Sequence, residues 1–217
     1  MEAKDNNFQH KFTGNDVTIK SKNRVYKGRF AIDLYELSHR KYNGGSTPVI
    51  KREVFERDQE AVAILPYDPK TGEVVLIEQF RPGAIKDPVS PWLIETVAGM
   101  VEQDEGRVTA CIRELQEEAG IKVTEKDLQY INSVYPSPGA DSERVSIYIA
   151  KVDASHLEKF GGLETEHEDI RVFKVKYQTA LEMLAQRRIS NAACVISLLY
   201  LEMMLKGKLP AAEGSQA

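Results

Sequence analysis

Glu114, Glu117 and Glu118 lie close together in the stretch Arg113-Glu114-Leu115-Gln116-Glu117-Glu118-Ala119-Gly120-Ile121. Residues three and four apart on a helix share a face, so a helix here would aim all three carboxylates the same way. Like charges at that spacing destabilise a bare helix by a few tenths of a kcal/mol per pair, roughly. A hard divalent cation converts that penalty into a binding site, because Mg²⁺ prefers carboxylate oxygens. Gly99 and Glu105 stand upstream at fixed distances, with five residues between them and seven more before Arg113.

The elements that must hold these side chains can be read from the neighbouring pattern. Val108, Cys111, Ile112, Leu115 and Ala119 recur at three- and four-residue steps, an apolar helical stripe. Gly120 follows the last of them and suits a left-handed helix end. Arg113, four before Glu117, is placed to brace the acidic face. Trp92 to Gly99 reads as one strand running into a tight glycine turn. The unit expected is strand, loop and acidic helix.

The glycine, the glutamates, the arginine and the two apolar positions Leu115 and Ile121 together resemble the Nudix box, G-x5-E-x7-R-E-U-x-E-E-x-G-U with U apolar, and every fixed position matches. Read without that pattern, the stretch would be an ordinary solvated, salt-bridged helix. The resemblance implies a Nudix-type α/β/α sandwich with a mixed sheet, and hydrolysis of a nucleoside diphosphate linked to another group. The implied cofactor is Mg²⁺, with Mn²⁺ as the second candidate.

The flanks narrow the group. Ser137-Pro138-Gly139, Ser142-Glu143-Arg144, Glu78-Gln79-Phe80-Arg81 and Arg52-Glu53-Val54-Phe55-Glu56-Arg57 are similar to bacterial ADP-ribose pyrophosphatases, and the likeness runs from about 14 to 206. It implies metal ligands at Glu114, Glu118 and the Ala98 carbonyl, with Glu117 binding or orienting metal. In the acidic loop Gly162 to Ile170 it implies Glu166 as general base and Glu168 as a further metal ligand. Taken alone, that loop reads as a solvated charge run. Substrate contacts are implied at Arg52, Glu53, Arg57, Arg81, Met100, Ser137, Pro138, Gly139 and Glu143, and at Arg29 and Phe30 reaching across from a second subunit. The family can place an aromatic at Arg29; a guanidinium plane also stacks on a base, but differently. Glu105 reads at least as well as a cap or brace for the loop before the helix as it does as a metal ligand, Glu95 as facing the site or pairing with an arginine, and His167 receives no role.

The expected reaction is metal-dependent hydrolysis of ADP-ribose to AMP and ribose 5-phosphate. The alternatives are another nucleotide sugar, such as GDP-mannose or ADP-glucose, and a non-catalytic nucleotide sensor. A sensor would normally lose box glutamates, and none is missing. With 217 residues, 42% of them hydrophobic, the chain can bury a sizeable core. A net charge of −4 gives no sign of a nucleic-acid surface. No apolar run approaches the ~20 residues that cross a bilayer, and the N-terminus lacks the apolar core of a signal peptide. Cys111 and Cys194 sit in apolar helical patterns without metal-ligand spacing, and read as buried thiols in the cytoplasm.

Three segments are expected: an N-terminal β region over 1–58 that swaps within a homodimer, a hydrolase domain over 59–207, and a disordered tail over 208–217. The first is an antiparallel meander with Asn43-Gly44-Gly45 at a hairpin. In the second, 61–65 and 73–80 form a hairpin, strands follow at 128–135, 144–152 and 170–175, and helices at about 178–188 and from the cap Asn191 to about Lys206.

Overall fold

The computed structural model describes residues 9–209, so the expected disorder of 210–217 falls outside the described residues. The chain forms two compact units, one of residues 9–58 with 137–142, the other of 59–136 with 143–209.

In the first unit, β1 (Val17–Lys27), β2 (Ala31–His39) and β3 (Ile50–Glu56) form an antiparallel sheet in that order. This is the expected meander, and Gly44 and Gly45 take positive φ in the β2–β3 loop. A buried Asp33 ties the strands together through Arg24 (2.8 Å) and Lys22 (3.1 Å). Hydrogen bonding to Arg24 holds its carboxyl at about 2, well below the usual range. Residues 137–142 join the unit along β3. Phe55 N–H donates to the Ala140 carbonyl (2.7 Å), and the Ser142 hydroxyl donates to Glu56 (2.9 Å).

The second unit is a mixed sheet between helices. Its strands are β4 (Ala61–Asp68), β5 (Glu73–Phe80), β6 (Trp92–Glu95), β7 (Val97–Met100), β8 (Leu128–Val134), β9 (Val145–Lys151), β10 (Phe160–Gly161) and β11 (Ile170–Lys176). The path runs β10-β11-β5-β4-β9-β8, with β4 and β9 parallel and the other pairs antiparallel. Strands β4 and β5 alternate strictly. Val62, Ile64, Val75 and Ile77 pack under α1 (Arg107–Ala119), whereas Leu65, Val74 and Leu76 pack under α2 (Tyr177–Ala185) and α3 (Ala192–Leu205). The architecture is thus the expected Nudix-like α/β sandwich with a small antiparallel sheet.

Three local expectations need adjustment. The segment 92–99 is not one strand ending in a glycine turn. It breaks at Thr96 into β6, beside β5, and β7, beside β4, with Gly99 inside β7 opposite Val62. The break follows from the hairpin: β4 and β5 pair only at Tyr67–Val74 and Asp68–Glu73, then part, and one segment fills both new edges. α2 stops at Ala185, short of 188, where Arg187 adopts φ +62. The three box glutamates do not share one environment either, since Glu114 and Glu118 are buried and Glu117 is half-exposed.

The remaining ends behave as read. Gly120 closes α1 at φ +67, and the Asn191 side chain caps α3 by accepting from Cys194 N–H (3.0 Å). Both cysteines are buried free thiols, pushed up to about 12 by burial.

Gly99 has ordinary strand geometry but no room for a side chain, because a Cβ there would run into the Glu114 carboxylate. Gly99→Ala is expected to cost about 1–3 kcal/mol of stability by overpacking. Urea unfolding of the variant beside wild type measures this, and an unchanged midpoint would contradict the packing described.

Candidate active site

The acidic face of α1 is pressed onto the edge of β7. Glu118 Oε2 accepts a hydrogen bond from the Ala98 backbone N–H (3.0 Å), and Glu114 lies over Gly99. Arg113 organises the rest. Its Nε and Nη2 donate to Glu105 (3.0 and 2.9 Å), its Nη2 also to the Met100 carbonyl (2.9 Å), and its Nη1 to Glu114 (2.7 Å) and Glu117 (3.0 Å). Glu105 also accepts from Glu102 N–H (2.9 Å). It is therefore a brace for the loop before α1, one of the two roles its position allowed.

The acidic loop is laid against the last turns of the same helix. Gly161 in β10 comes so close to the Glu118 carbonyl that a Cβ would not fit, and Gly162 N–H donates to the Glu117 carbonyl (2.9 Å). Gly162 has φ +96, and a Cβ there would meet Glu168. Sequence reading passed over this glycine pair, although two adjacent glycines before a charge run are a signal of close backbone approach. The half-buried Glu168 accepts from Leu163 N–H (3.2 Å). Glu166, on a short 3₁₀ turn over Glu164–Glu166, faces solvent.

Burial and mutual repulsion dominate the electrostatics. Burial lifts Glu118 to about 8 against the opposing Ala98 hydrogen bond, with the charges of Glu114 and Glu168 adding to the rise. Burial also raises Glu114, opposed by Arg113 and reinforced by Glu117 and Glu168. Three carboxylates from two segments thus feel one another's charge beside the Ala98 backbone. Among the described residues no three acidic, histidine or cysteine side chains form a ready-made metal cluster; Glu114, Glu118 and Glu168 are each turned onto a protein donor. The donor chemistry nonetheless fits a hard divalent cation, all oxygen and all carboxylate, and the repulsion among the three is what such an ion would relieve.

Arg81 enters from the end of β5. Its Nε and Nη2 both donate to the buried Glu95 on β6 (2.9 and 2.7 Å). Burial works to lower its pKa, but the Glu95 hydrogen bonds and the charges of Glu95, Glu118 and Glu168 hold it above the ordinary arginine value. Glu95 therefore pairs with an arginine, as one of its two readings had it. Its other oxygen accepts from Asn191 Nδ2 (3.0 Å), so the residue that caps α3 also steadies this pair, a role the sequence did not disclose.

The other proposed contacts lie elsewhere. Glu143 is half-buried in the second unit, just before β9. In the first unit Arg57 stacks over the Phe30 ring (4.6 Å to its centre), Arg29 lies 5.9 Å from it, and Phe30 packs on Phe55 (5.2 Å). Glu53 shares a strand face with Phe55, while Arg52 projects from the opposite face and donates to the Lys51 carbonyl. Ser137, Pro138 and Gly139 are exposed in the segment beside β3.

A proton on Glu118 is held in the folded chain to about pH 8, whereas an unfolded glutamate releases it near pH ~4.3. Between those values the folded state binds more protons, so stability without divalent ions falls as pH rises. The melting temperature in EDTA is expected to drop between pH 5 and pH 8, and Glu118→Gln to flatten that slope. Parallel slopes for the two proteins would refute the assignment to Glu118.

The geometry has known counterparts. The NUDIX domain model matches residues 57–191. The chain is 42% identical over 200 residues to the ADP-ribose pyrophosphatase of Escherichia coli (strain K12), covering 92% of this chain and 94% of that one. It is 37% identical over 198 residues to the ADP-ribose pyrophosphatase of Haemophilus influenzae, covering 90% and 89%. The GDP-mannose pyrophosphatase of Escherichia coli (strain UTI89 / UPEC) is 39% identical over 155 residues, covering 70% and 78%. A crystal structure of an ADP compounds hydrolase shares the fold, with a TM-score of 0.66 over 89% of this chain and 97% of that one at 22% identity. With its box folded as an acidic helix on a strand edge and its likeness running almost end to end, this chain belongs to the Nudix hydrolase superfamily, within the group of the bacterial ADP-ribose pyrophosphatases.

Proposed function

We propose that this enzyme hydrolyses the diphosphate of ADP-ribose, giving AMP and ribose 5-phosphate. The observation that carries the reading is the convergence of Glu114, Glu118 and Glu168 beside Ala98, in a chain 42% identical to a named ADP-ribose pyrophosphatase over 92% of its length. Glu114, Glu118, Glu168 and the Ala98 carbonyl would hold divalent ions, Mg²⁺ or Mn²⁺, with Glu117 binding or orienting them. Such ions, when bound, neutralise phosphate charge and make a water more acidic.

The side chains account for the rest. Arg81, steadied by Glu95, offers its guanidinium to phosphate oxygens. Glu166, on its exposed turn, takes the proton of the attacking water. The water oxygen bonds to phosphorus, and the bridging oxygen leaves with the other phosphate. General base assistance of this kind contributes about a hundred- to ten-thousandfold. Met100, Glu143 and Ser137 to Gly139 would contact substrate, as would Arg52, Glu53 and Arg57. Arg29 and Phe30 would do so from a second subunit, with residues 1–58 exchanged in a cytoplasmic homodimer and 59–207 forming the hydrolase domain. The GDP-mannose pyrophosphatase likeness favours a second reading, in which another nucleotide sugar is cut by the same machinery.

Comparing kcat/KM for ADP-ribose, ADP-glucose, GDP-mannose and NADH separates the two readings. ADP-ribose is expected to lead, and equal or faster turnover of GDP-mannose would replace the first reading by the second. EDTA should abolish activity and Mg²⁺ restore it. Glu166→Gln should lower kcat about a hundredfold or more with little change in KM, and without loss of stability because the side chain is exposed. A wild-type rate in that variant would clear Glu166 of the base role.

A further inference from the structure

Gln79 is a buried polar side chain to which the mechanism above gives no task. It is 7% exposed, and among the described residues its Nε2 has no hydrogen-bond partner. Buried amides are nearly always satisfied, so an unmet donor beside a reaction site calls for an acceptor that arrives from outside.

Its position says where that acceptor would lie. Strand alternation sets Gln79 on the same sheet face as Val75 and Ile77, whose side chains pack under α1. Arg81, two residues on, continues that face and feels the charges of Glu118 and Glu168. On one side Gln79 pairs with Leu93 of β6. On the other, it stands one step beyond the Glu78–Arg171 pair, beside Ile170, where the acidic loop ends. Glu118 accepts from Ala98 N–H, Glu168 from Leu163 N–H and Glu95 from Arg81, and among the described residues none of them accepts from Gln79 Nε2. An amide nitrogen donates only, so what it lacks is an acceptor oxygen, and a phosphate brings several.

We propose that Gln79 Nε2 donates a hydrogen bond to a non-bridging phosphate oxygen of the bound nucleoside diphosphate sugar, beside Arg81. The assignment rests on the nucleotide-sugar hydrolase reading but not on which sugar is cut. A neutral donor suits the place. It adds no charge to compete with Arg81 for Glu95, and a fixed dipole aimed at a phosphate needs little reorganisation when charge shifts.

Gln79→Met keeps the length of the side chain and removes its polar atoms. On the nucleotide sugar that wild type cuts fastest, kcat/KM is expected to fall roughly ten- to a hundredfold, the worth of one hydrogen bond to a charged group. The melting temperature without substrate should hold or rise, because a buried unmet donor has been removed. Gln79→Glu, which sets a carboxylate against the phosphate, should lower kcat/KM further than Gln79→Met. A value within twofold of wild type for Gln79→Met would overturn the proposal. So would a lower melting temperature in that variant, which would place the amide's partner inside the fold. Should wild type cut none of the sugars, the function reading fails by itself. The Gln79 assignment is then judged by the thermal shift that ADP-ribose causes in EDTA: a wild-type shift lost in Gln79→Met supports it, and equal shifts or none in both reject it.

Discussion

The second unit depends on a conflict that it does not remove: two carboxylates, Glu114 and Glu118, are buried on one helix face and pressed to a strand edge. Taking an ionised carboxylate out of water costs several kcal/mol, roughly, even after relaxation. Arg113 offsets part of this with one guanidinium shared among Glu105, Glu114, Glu117 and the Met100 carbonyl. That fork ties the helix to the loop before it and to the end of β7, so the charge distribution also fixes the backbone. Glu118 is offset by the Ala98 backbone N–H, but burial outweighs it and raises the proton affinity of the carboxylate. The residual strain is the chemical asset of the site, because an ion that gathers these oxygens also relieves their repulsion.

Close approach is the second requirement, and glycine supplies it on both sides of the helix. Gly99 lets the strand pass beneath Glu114, and Gly161 lets β10 meet the last turn of α1 at the Glu118 carbonyl. Neither contact needs unusual φ; both need the absence of a side chain. The parting of β4 and β5 does comparable work on the sheet. It opens edges that β6 and β7 fill, so Glu95 and Ala98, three residues apart, serve different partners: Arg81 on one side and Glu118 on the other. Asn191 closes this arrangement from the opposite layer by joining the start of α3 to Glu95.

What could be read from the sequence follows from how local its cause is. The α1 stripe, the Gly120 stop and the Asn191 cap are each decided within a few residues, and each is found as read. The strand break at Thr96 was not legible. Trp92 to Gly99 is uniformly strand-like, and only the divergence of two strands some twenty residues upstream dictates the switch. Likewise, spacing alone put three glutamates on one face, but it could not say that the sheet would cover Glu114 and Glu118 and leave Glu117 on the flank with Arg113. The resemblance supplied the acidic loop; the geometry supplies the reason it packs where it does, in Gly161 and Gly162.

The same contrast separates the chemistry of this enzyme from its choice of substrate. The acid-bearing helix is specified by contiguous residues, and its charges are fixed by their spacing along one helix. Of the groups proposed to contact the substrate, those on the other compact unit come from separate segments: Arg29 and Phe30 precede β2, and Arg57, just after β3, lies over the Phe30 ring. Their order in the chain carries no spacing rule. Arg29 stands close enough to Phe30 for its guanidinium to lie over the aromatic face. Were a base to stack there, as proposed, the cation would favour ring systems rich in electron density and acceptors. On the proposed reading, discrimination among nucleotide sugars would draw on planar groups of the first unit, whereas cleavage would draw on the carboxylates of the second.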